Sequence, residues 1–370
     1  MSARRLLFVA DSLDVGGAER VLVGLAGSLT RRGHQVTIAA SVGGSLVDEA
    51  RRVGADVRVL GQQLVKRRVD LAFANGLRAL LHQRPVDLVH THMYASSIAA
   101  VLATLSSGPP VVVHEHSEAG WRGARERAIC QWAYRRVGAV IGVSEQIRRR
   151  LLDVDRVPPD KVHVVRNSLP ALTPPAAGAP LPRPAGPLVG VVARLQPEKG
   201  VQVFLRAAAR LAARFPTAGF VVVGEGRQRA ALERLAADLR VPVTFLGFRA
   251  DAPALVAQLD LLVVPSFSEG TPLVVLEAMA AGVPLVATAV GGIPSQVRHE
   301  VHALLVPPGD EVALAEAGAR LLGDRALATR LGAAARLRWR REFSGVAIPE
   351  LVEGIYDSVL DSWTRRAALR

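Results

Sequence analysis

Short runs of valine, isoleucine and leucine, each followed by a longer amphipathic stretch, recur along nearly the whole chain. In the first half the runs are "RLLFVA", "QVTIAA", "VRVL", "DLVHT", "VVVHE", "AVIGV" and "VHVV". Between the first two, residues 19–31 carry Val21, Leu22, Leu25 and Leu29 at helical spacing. Strands apolar on both faces and separated by helices form a parallel sheet covered on both sides. The pattern stops at residues 169–187, "LPALTPPAAGAPLPRPAGP", where seven prolines exclude a helix or a central strand. It restarts with "PLVGVVARL", "GFVVVGEG", "VTFLGF", "DLLVVP", "PLVAT" and "ALLVPPG". The expected fold is α/β, with two doubly wound, Rossmann-like parallel-sheet domains over residues 1–170 and 188–344. A stiff proline-rich linker spans 171–187, and a helix occupies 345–370. Such sheets bind ligands beyond the carboxyl ends of their strands, so a cleft between the two domains is the expected site.

The 370 residues suffice for two domains with sizeable cores. The lone Cys130 excludes an intrachain disulfide and fits a reducing, cytoplasmic setting. The opening "MSARRLLFVADSL" has too short an apolar run for a secretory leader, and no stretch reads as a membrane span. Net charge is +13, and it is uneven. Residues 1–180 hold 24 Lys+Arg against 15 Asp+Glu, and residues 181–370 hold 22 against 18. A basic first half points to an anionic partner, and a weak peripheral contact with an anionic membrane surface at its inner face is expected. The candidate contacts are "KRR" at 66–68 and "RRR" at 148–150. Arginine-rich coding bias explains the charge equally well, since only three of the 46 basic residues are lysines. Nucleic acid is not an expected partner: aromatics are 4% of the chain, too few for stacking platforms.

The chemistry-bearing motifs sit where strands end. "GVVARLQPEKG" puts Arg194 and Lys199 just after a strand, a planar fork and a point charge suited to a diphosphate. "VVVGEG" places Gly224 and Gly226 after a later strand, where backbone can approach a ligand. In "PSFSEGTPLVVLEAMAAGVPLVATAVGGIPSQV" a strand and loop lead to Thr271 as N-cap and Pro272 as first helical residue. The helix then runs to about Ala281 and stops at Gly282. Its N-terminal N–H groups form an anion site. Between Gly270 and Val297 the only charged residue is Glu277, eight positions after Glu269. A buried carboxylate needs partners, and a ribose or sugar diol supplies two hydroxyls. A partner such as Arg298 would satisfy it as well.

In the first half, "DSLDVGGAER" carries Gly16 and Gly17 into a helix without the G-x-G-x-x-G spacing of a dinucleotide site. In "VVVHEHSEAGW", His114, Glu115, His116 and Glu118 resemble metal ligands by type. Residues at i and i+2 share one strand face, however, with no third ligand nearby in sequence, so no metal is expected. His90 and His92, in "VHTHMYAS", end the preceding strand and read as acceptor-side or structural. "DVD" at 153–155 reads as surface.

Taken together, "RLQPEKG", "GEG", "SEGTPLVVLEAMAAGVPLVAT", "VGGIP" and "LLVPPGD" resemble the retaining glycosyltransferases of family 4, with the GT-B fold. The E-x7-E pair, Glu269 and Glu277, matches that family's signature. The resemblance implies a nucleotide diphosphate sugar (UDP- or GDP-linked) as donor, a hydroxyl acceptor in glycan, glycolipid or natural-product synthesis, and no cofactor. It implies that Glu277 holds the donor ribose and that Glu269 lies against the transferred sugar. Arg194 and Lys199 would bind the diphosphate, helped by backbone near Gly270, Thr271, Pro272 and Leu273, with Gly224 nearby. Gly16 and Gly17 would approach the donor phosphate and acceptor, and His116 the sugar near its reacting carbon. The tail helix would cross back onto the first domain. Departures from the family pattern are Ser168 after Asn167, Ser295 where Glu is usual and Ala303 in place of a frequent Gly. The rival functions are a sugar-nucleotide epimerase on the same fold and a non-catalytic sugar-nucleotide-binding subunit.

Overall fold

A computed structural model of the chain describes residues 3–14, 16–65, 69–105, 108–117, 120–168, 180–181, 183–344 and 348–368. Most of the proline-rich stretch, the "KRR" at 66–68 and Glu118 lie outside the described residues. The chain divides into two compact units, Met1–Ser168 with Gly345–Arg370, and Leu169–Ser344. Both are α/β with wholly parallel sheets, the GT-B pair of Rossmann-like domains.

The first unit is built on β1 (Arg5–Ser12), β2 (Gln35–Val42), β3 (Asp56–Val59), β4 (Leu88–His92), β5 (Val111–Glu115), β6 (Ala139–Gly142) and β7 (Val162–Val164). Their order across the sheet is β3-β2-β1-β4-β5-β6-β7. The strand runs are apolar throughout because both faces are covered. Along β1, Leu7 and Val9 enter one core while Leu6, Phe8 and Ala10 enter the other. The helix Gly17–Arg31 buries Leu22, Leu25 and Leu29.

The terminal helix Ile348–Ala368 belongs to this unit, where Val352, Ile355, Tyr356 and Val359 join the core on the Phe8 face. Its Glu353 is 1% exposed and takes two bonds from Arg32, at 2.8 and 2.9 Å, and one with His34 Nε2 at 2.9 Å. Burial alone would raise the Glu353 pKa, but Arg32 and His34 outweigh it and lower it. Gly138 makes room for this helix: a Cβ there would lie 2.4 Å from Val359. Trp363, apolar in the tail pattern, is exposed.

The second unit holds β8 (Leu188–Val192), β9 (Gly219–Val223), β10 (Val243–Gly247), β11 (Leu261–Val264), β12 (Leu285–Thr288) and β13 (Leu304–Val306), in the order β10-β9-β8-β11-β12-β13. Val191, Phe204, Phe220, Val263 and Val286 are among its core residues. In each sheet the direction of strand order reverses once, between β1 and β4 and between β8 and β11. The crevice beyond the carboxyl ends at that reversal is where such sheets hold ligands. No helix among the described residues is long and apolar enough to cross a membrane.

Candidate active site

At the β8/β11 reversal, residues 70 positions apart meet. Lys199, in the one-turn segment Pro197–Lys199 after β8, places its Nζ 2.8 and 2.7 Å from the two carboxylate oxygens of Glu269. Ser266 Oγ donates to the same carboxylate at 2.7 Å. Glu269 is 9% exposed, so this pair is largely desolvated. Lys199 is therefore not a lone cation, as the spacing alone implied; it shares its charge with Glu269. Arg194, by contrast, is exposed and has no ion pair among the described residues.

Glycines let the loops converge. Gly200 has φ 63°, and a Cβ there would lie 2.0 Å from the Pro265 carbonyl oxygen. Gly224 has φ 140°, with its Cβ direction 1.9 Å from the Ala193 oxygen. In "GEG", then, the glycine of the first position admits the chain's own backbone after β8. Gly292 similarly leaves space for the Gly270 oxygen, to which its N–H donates at 2.7 Å.

Glu277 lies in the second turn of the helix Leu273–Ala281 and is 5% exposed. The helix begins one residue later than the Thr-Pro pattern predicts. Pro272 is the N-cap, with φ −65° and ψ 127°, and Thr271 is buried before it. The extended ψ of Pro272 keeps it outside the helix. Pro272 itself supplies no side-chain cap to the first-turn N–H groups. Gly282, at φ 74°, ends the helix as expected. Gln296 Nε2 donates to the Pro272 oxygen at 3.1 Å, holding the cap in place.

At the β1/β4 reversal the first unit presents a different surface. Gly16 precedes the helix Gly17–Arg31 in ordinary extended conformation, and the Glu19 carboxylate fills the space a Cβ would need. Asp11, at the end of β1, accepts from the Ser96 amide at 2.9 Å. Parallel register sets His92 opposite His114, so four imidazoles gather: His90 and His92 from β4, His114 from β5 and His116 just beyond it. Ring centroids of neighbours lie 4.5–5.4 Å apart. His92 Nδ1 is 2.8 Å from His116 Nε2, and His90 Nδ1 bonds the Tyr356 hydroxyl of the terminal helix. Burial drives His90 down to about 3 and His116 to about 4, and His92 and His114 well below their usual value, so all four are neutral at pH 7.

The profile of Glycosyltransferase Family 4 matches residues 15–170, and that of Glycosyl transferases group 1 matches residues 186–324. Alpha-D-kanosaminyltransferase of Streptomyces kanamyceticus is 31% identical over 297 residues, covering 73% of this chain and 77% of that protein. D-inositol 3-phosphate glycosyltransferase of Salinispora tropica is 34% identical over 330 residues, covering 79% and 67%. The chain belongs to the family 4 glycosyltransferases. Among solved structures, Anabaena HepE in complex with UDP-glucose superposes on this glycosyltransferase with a TM-score of 0.82 at 23% identity, over 96% of this chain and all of the other. At that identity the likeness concerns the fold.

Three features of the glycosyltransferase differ from the sequence expectation. Asp155 of "DVD" is fully buried, and Arg150 of "RRR" is paired with it at 3.2 Å and with Glu115 at 3.2 Å. Arg122 completes this cluster at 2.7 Å from Glu115. Burial raises the Glu115 pKa, but Arg122 and Arg150 outweigh it and bring it to about 2. The helical period of residues 145–153 turns Arg150 inward, which a count of basic residues does not show. Glu115 also points away from His114 and His116, as alternate strand residues must. Finally, the third imidazole that the spacing of "HEH" lacks does come near His114, from β4. Ser266 and Gln296 carry no signal of their own, and Gly292 stands only within "VGGIP"; the fold brings all three to the loops around Glu269.

Proposed function

We propose that this glycosyltransferase moves a sugar from a nucleotide diphosphate sugar to an acceptor hydroxyl with retention of anomeric configuration. The observation that carries this reading is the Lys199–Glu269 pair at the β8/β11 reversal, in the loop that leads into the helix bearing Glu277. Arg194, Lys199 and the N–H groups near Thr271 and Leu273 bind the diphosphate. Glu277 holds the ribose hydroxyls, and Glu269 accepts from hydroxyls of the transferred sugar while orienting Lys199. Gly16 and Gly17 border the donor phosphate, and His116 orients the sugar. The crystallised relative bound to UDP-glucose supports a uridine donor, the kanosaminyltransferase an amino sugar among the groups such enzymes move, and the D-inositol 3-phosphate glycosyltransferase a cyclitol hydroxyl as acceptor.

The proposed chemistry is a front-face substitution. A covalent route needs a carboxylate on the face opposite the leaving group. Glu269 is already held by Lys199 and Ser266 and is a poor nucleophile in that state. The acceptor hydroxyl therefore enters on the side from which the nucleoside diphosphate departs, and its proton goes to the leaving phosphate oxygen. Arg194, Lys199 and the helix N-terminus stabilise the charge that develops there, so no divalent ion bridges the diphosphate. The histidines, neutral at pH 7, need not act as bases. A weak, salt-sensitive contact of the first unit with anionic lipid, through exposed residues such as Arg149, completes the proposal.

NMR of the product's anomeric coupling tests retention, and an inverted product would sink the front-face route. Adding Mg²⁺ or Mn²⁺ to EDTA-treated enzyme should not raise the rate; strong stimulation would mean that a metal, not these cations, carries the diphosphate charge.

A further inference from the structure

We infer that His90, His92 and His114 form a binding site for a divalent transition-metal ion of the zinc class in the first unit, separate from Arg194, Lys199, Glu269 and Glu277, with His116 adjoining it. One ring nitrogen from each of the three lies within 4.8 Å of the others, and all three residues are at most 2% exposed. The hydrogen bonding has the form a metal site requires. His90 Nδ1 is engaged by Tyr356 and His92 Nδ1 by His116, while Nε2 of both has no partner and no access to solvent. Metal-bound histidines show this division: the outer nitrogen is held by a second group, which fixes the ring, and the inner one faces the metal. On His114 neither nitrogen has a partner.

Five buried, unsatisfied imidazole nitrogens in one place, His116 Nδ1 among them, are costly in a native protein and call for a ligand. One metal ion satisfies three of them. An all-imidazole set with no carboxylate selects zinc, cobalt, nickel or copper over magnesium and calcium. At nitrogen–metal distances of about 2.0–2.1 Å the three nitrogens must draw closer than they stand here, and the rings, now 12–36° from parallel, must tilt toward one another; His114, held by no hydrogen bond, supplies most of that turn. Since the rings come from β4 and β5, with Tyr356 of the terminal helix behind one of them, the ion would pin those three elements together. It plays no part in holding the diphosphate.

The test uses the untagged full chain, stripped of metal and then titrated with Zn²⁺ or Co²⁺. One equivalent should bind per chain, Co²⁺ should show the intense visible d–d bands of a tetrahedral site, and Zn²⁺ should raise the unfolding temperature. His114→Phe should lose the tight equivalent and the cobalt bands, whereas His82→Ala, on another helix, should keep both. If His114→Phe does not fold, the wild-type titration still decides. Failure of the wild-type chain to take up a stoichiometric equivalent overturns the site. So does uptake that survives His114→Phe or disappears in His82→Ala. Donor binding is read separately by UDP titration of the second unit's variants, so loss of one proposal leaves the other standing.

Discussion

The two sheets reverse strand order at the same place, yet the crevices at those reversals differ in electrical character. At β8/β11 the loops carry a fixed ion pair, an exposed arginine and a helix N-terminus. At β1/β4 the chain gathers four neutral imidazoles and a carboxylate tied to a backbone amide. Identical topology thus leaves the chemistry open, and the side chains at the strand ends decide it. The charged crevice suits the proposed diphosphate, and the neutral one the proposed sugar hydroxyls or metal.

The largest effect is expected from breaking the charged crevice. Lys199→Ala leaves Glu269 desolvated and uncompensated, which should cost about 3–5 kcal/mol of stability. In kcat/KM it should cost at least the roughly ten- to hundredfold of a charge-assisted hydrogen bond. Adding Glu269→Gln should restore much of the stability but not the turnover. Chemical denaturation of the three variants decides this, and purely additive losses would mean the pair is not coupled.

The neutral crevice should show itself through pH. In the unfolded chain a histidine protonates near pH 6.5, whereas folded His90 does so only near 3. Its folded pKa is depressed, so its contribution to stability is complete above pH 6.5 and is lost as pH falls from there toward 3. Each such histidine contributes a slope of about 1.4 kcal/mol per pH unit in that window. Unfolding free energies at pH 7, 6 and 5 should fall steeply, and His114→Phe should flatten the slope by about one proton. A flat profile in the wild-type protein would show that the imidazoles are not buried neutral.

Arg194→Ala should lower kcat/KM by roughly ten- to a hundredfold, with no loss of stability because the side chain is exposed. Equal damage to folding would reassign it. Smaller still, Glu277→Gln should mainly raise the donor KM, whereas Glu269→Gln should mainly lower kcat. Steady-state kinetics with varied donor would expose a reversal of the two roles.

The charged crevice was far more legible in the sequence than the neutral one. Arg194, Lys199, Glu269 and Glu277 lie in two compact motifs whose helix stop at Gly282 and buried carboxylate follow from local rules. The pairing of Lys199 with Glu269 did not follow, because it depends on which strands become neighbours. The histidine cluster depends on that even more: "HTH" and "HEH" are each unremarkable, and only the β4–β5 register sets His92 beside His114. Arg150 and Asp155 were misjudged for a related reason. Charged residues in a short helix look solvated until a buried partner, here Glu115, is supplied by another strand.

The terminal helix also bears on how the protein is made. Val352, Glu353 and Tyr356 complete the core behind β1, yet the whole second unit lies between them and the rest of the first in sequence. The second unit is continuous in sequence and can finish folding as it leaves the ribosome. The first unit, although translated earlier, lacks the partners of Arg32, His34 and His90 on Glu353 and Tyr356 until residues 348–368 follow the second unit.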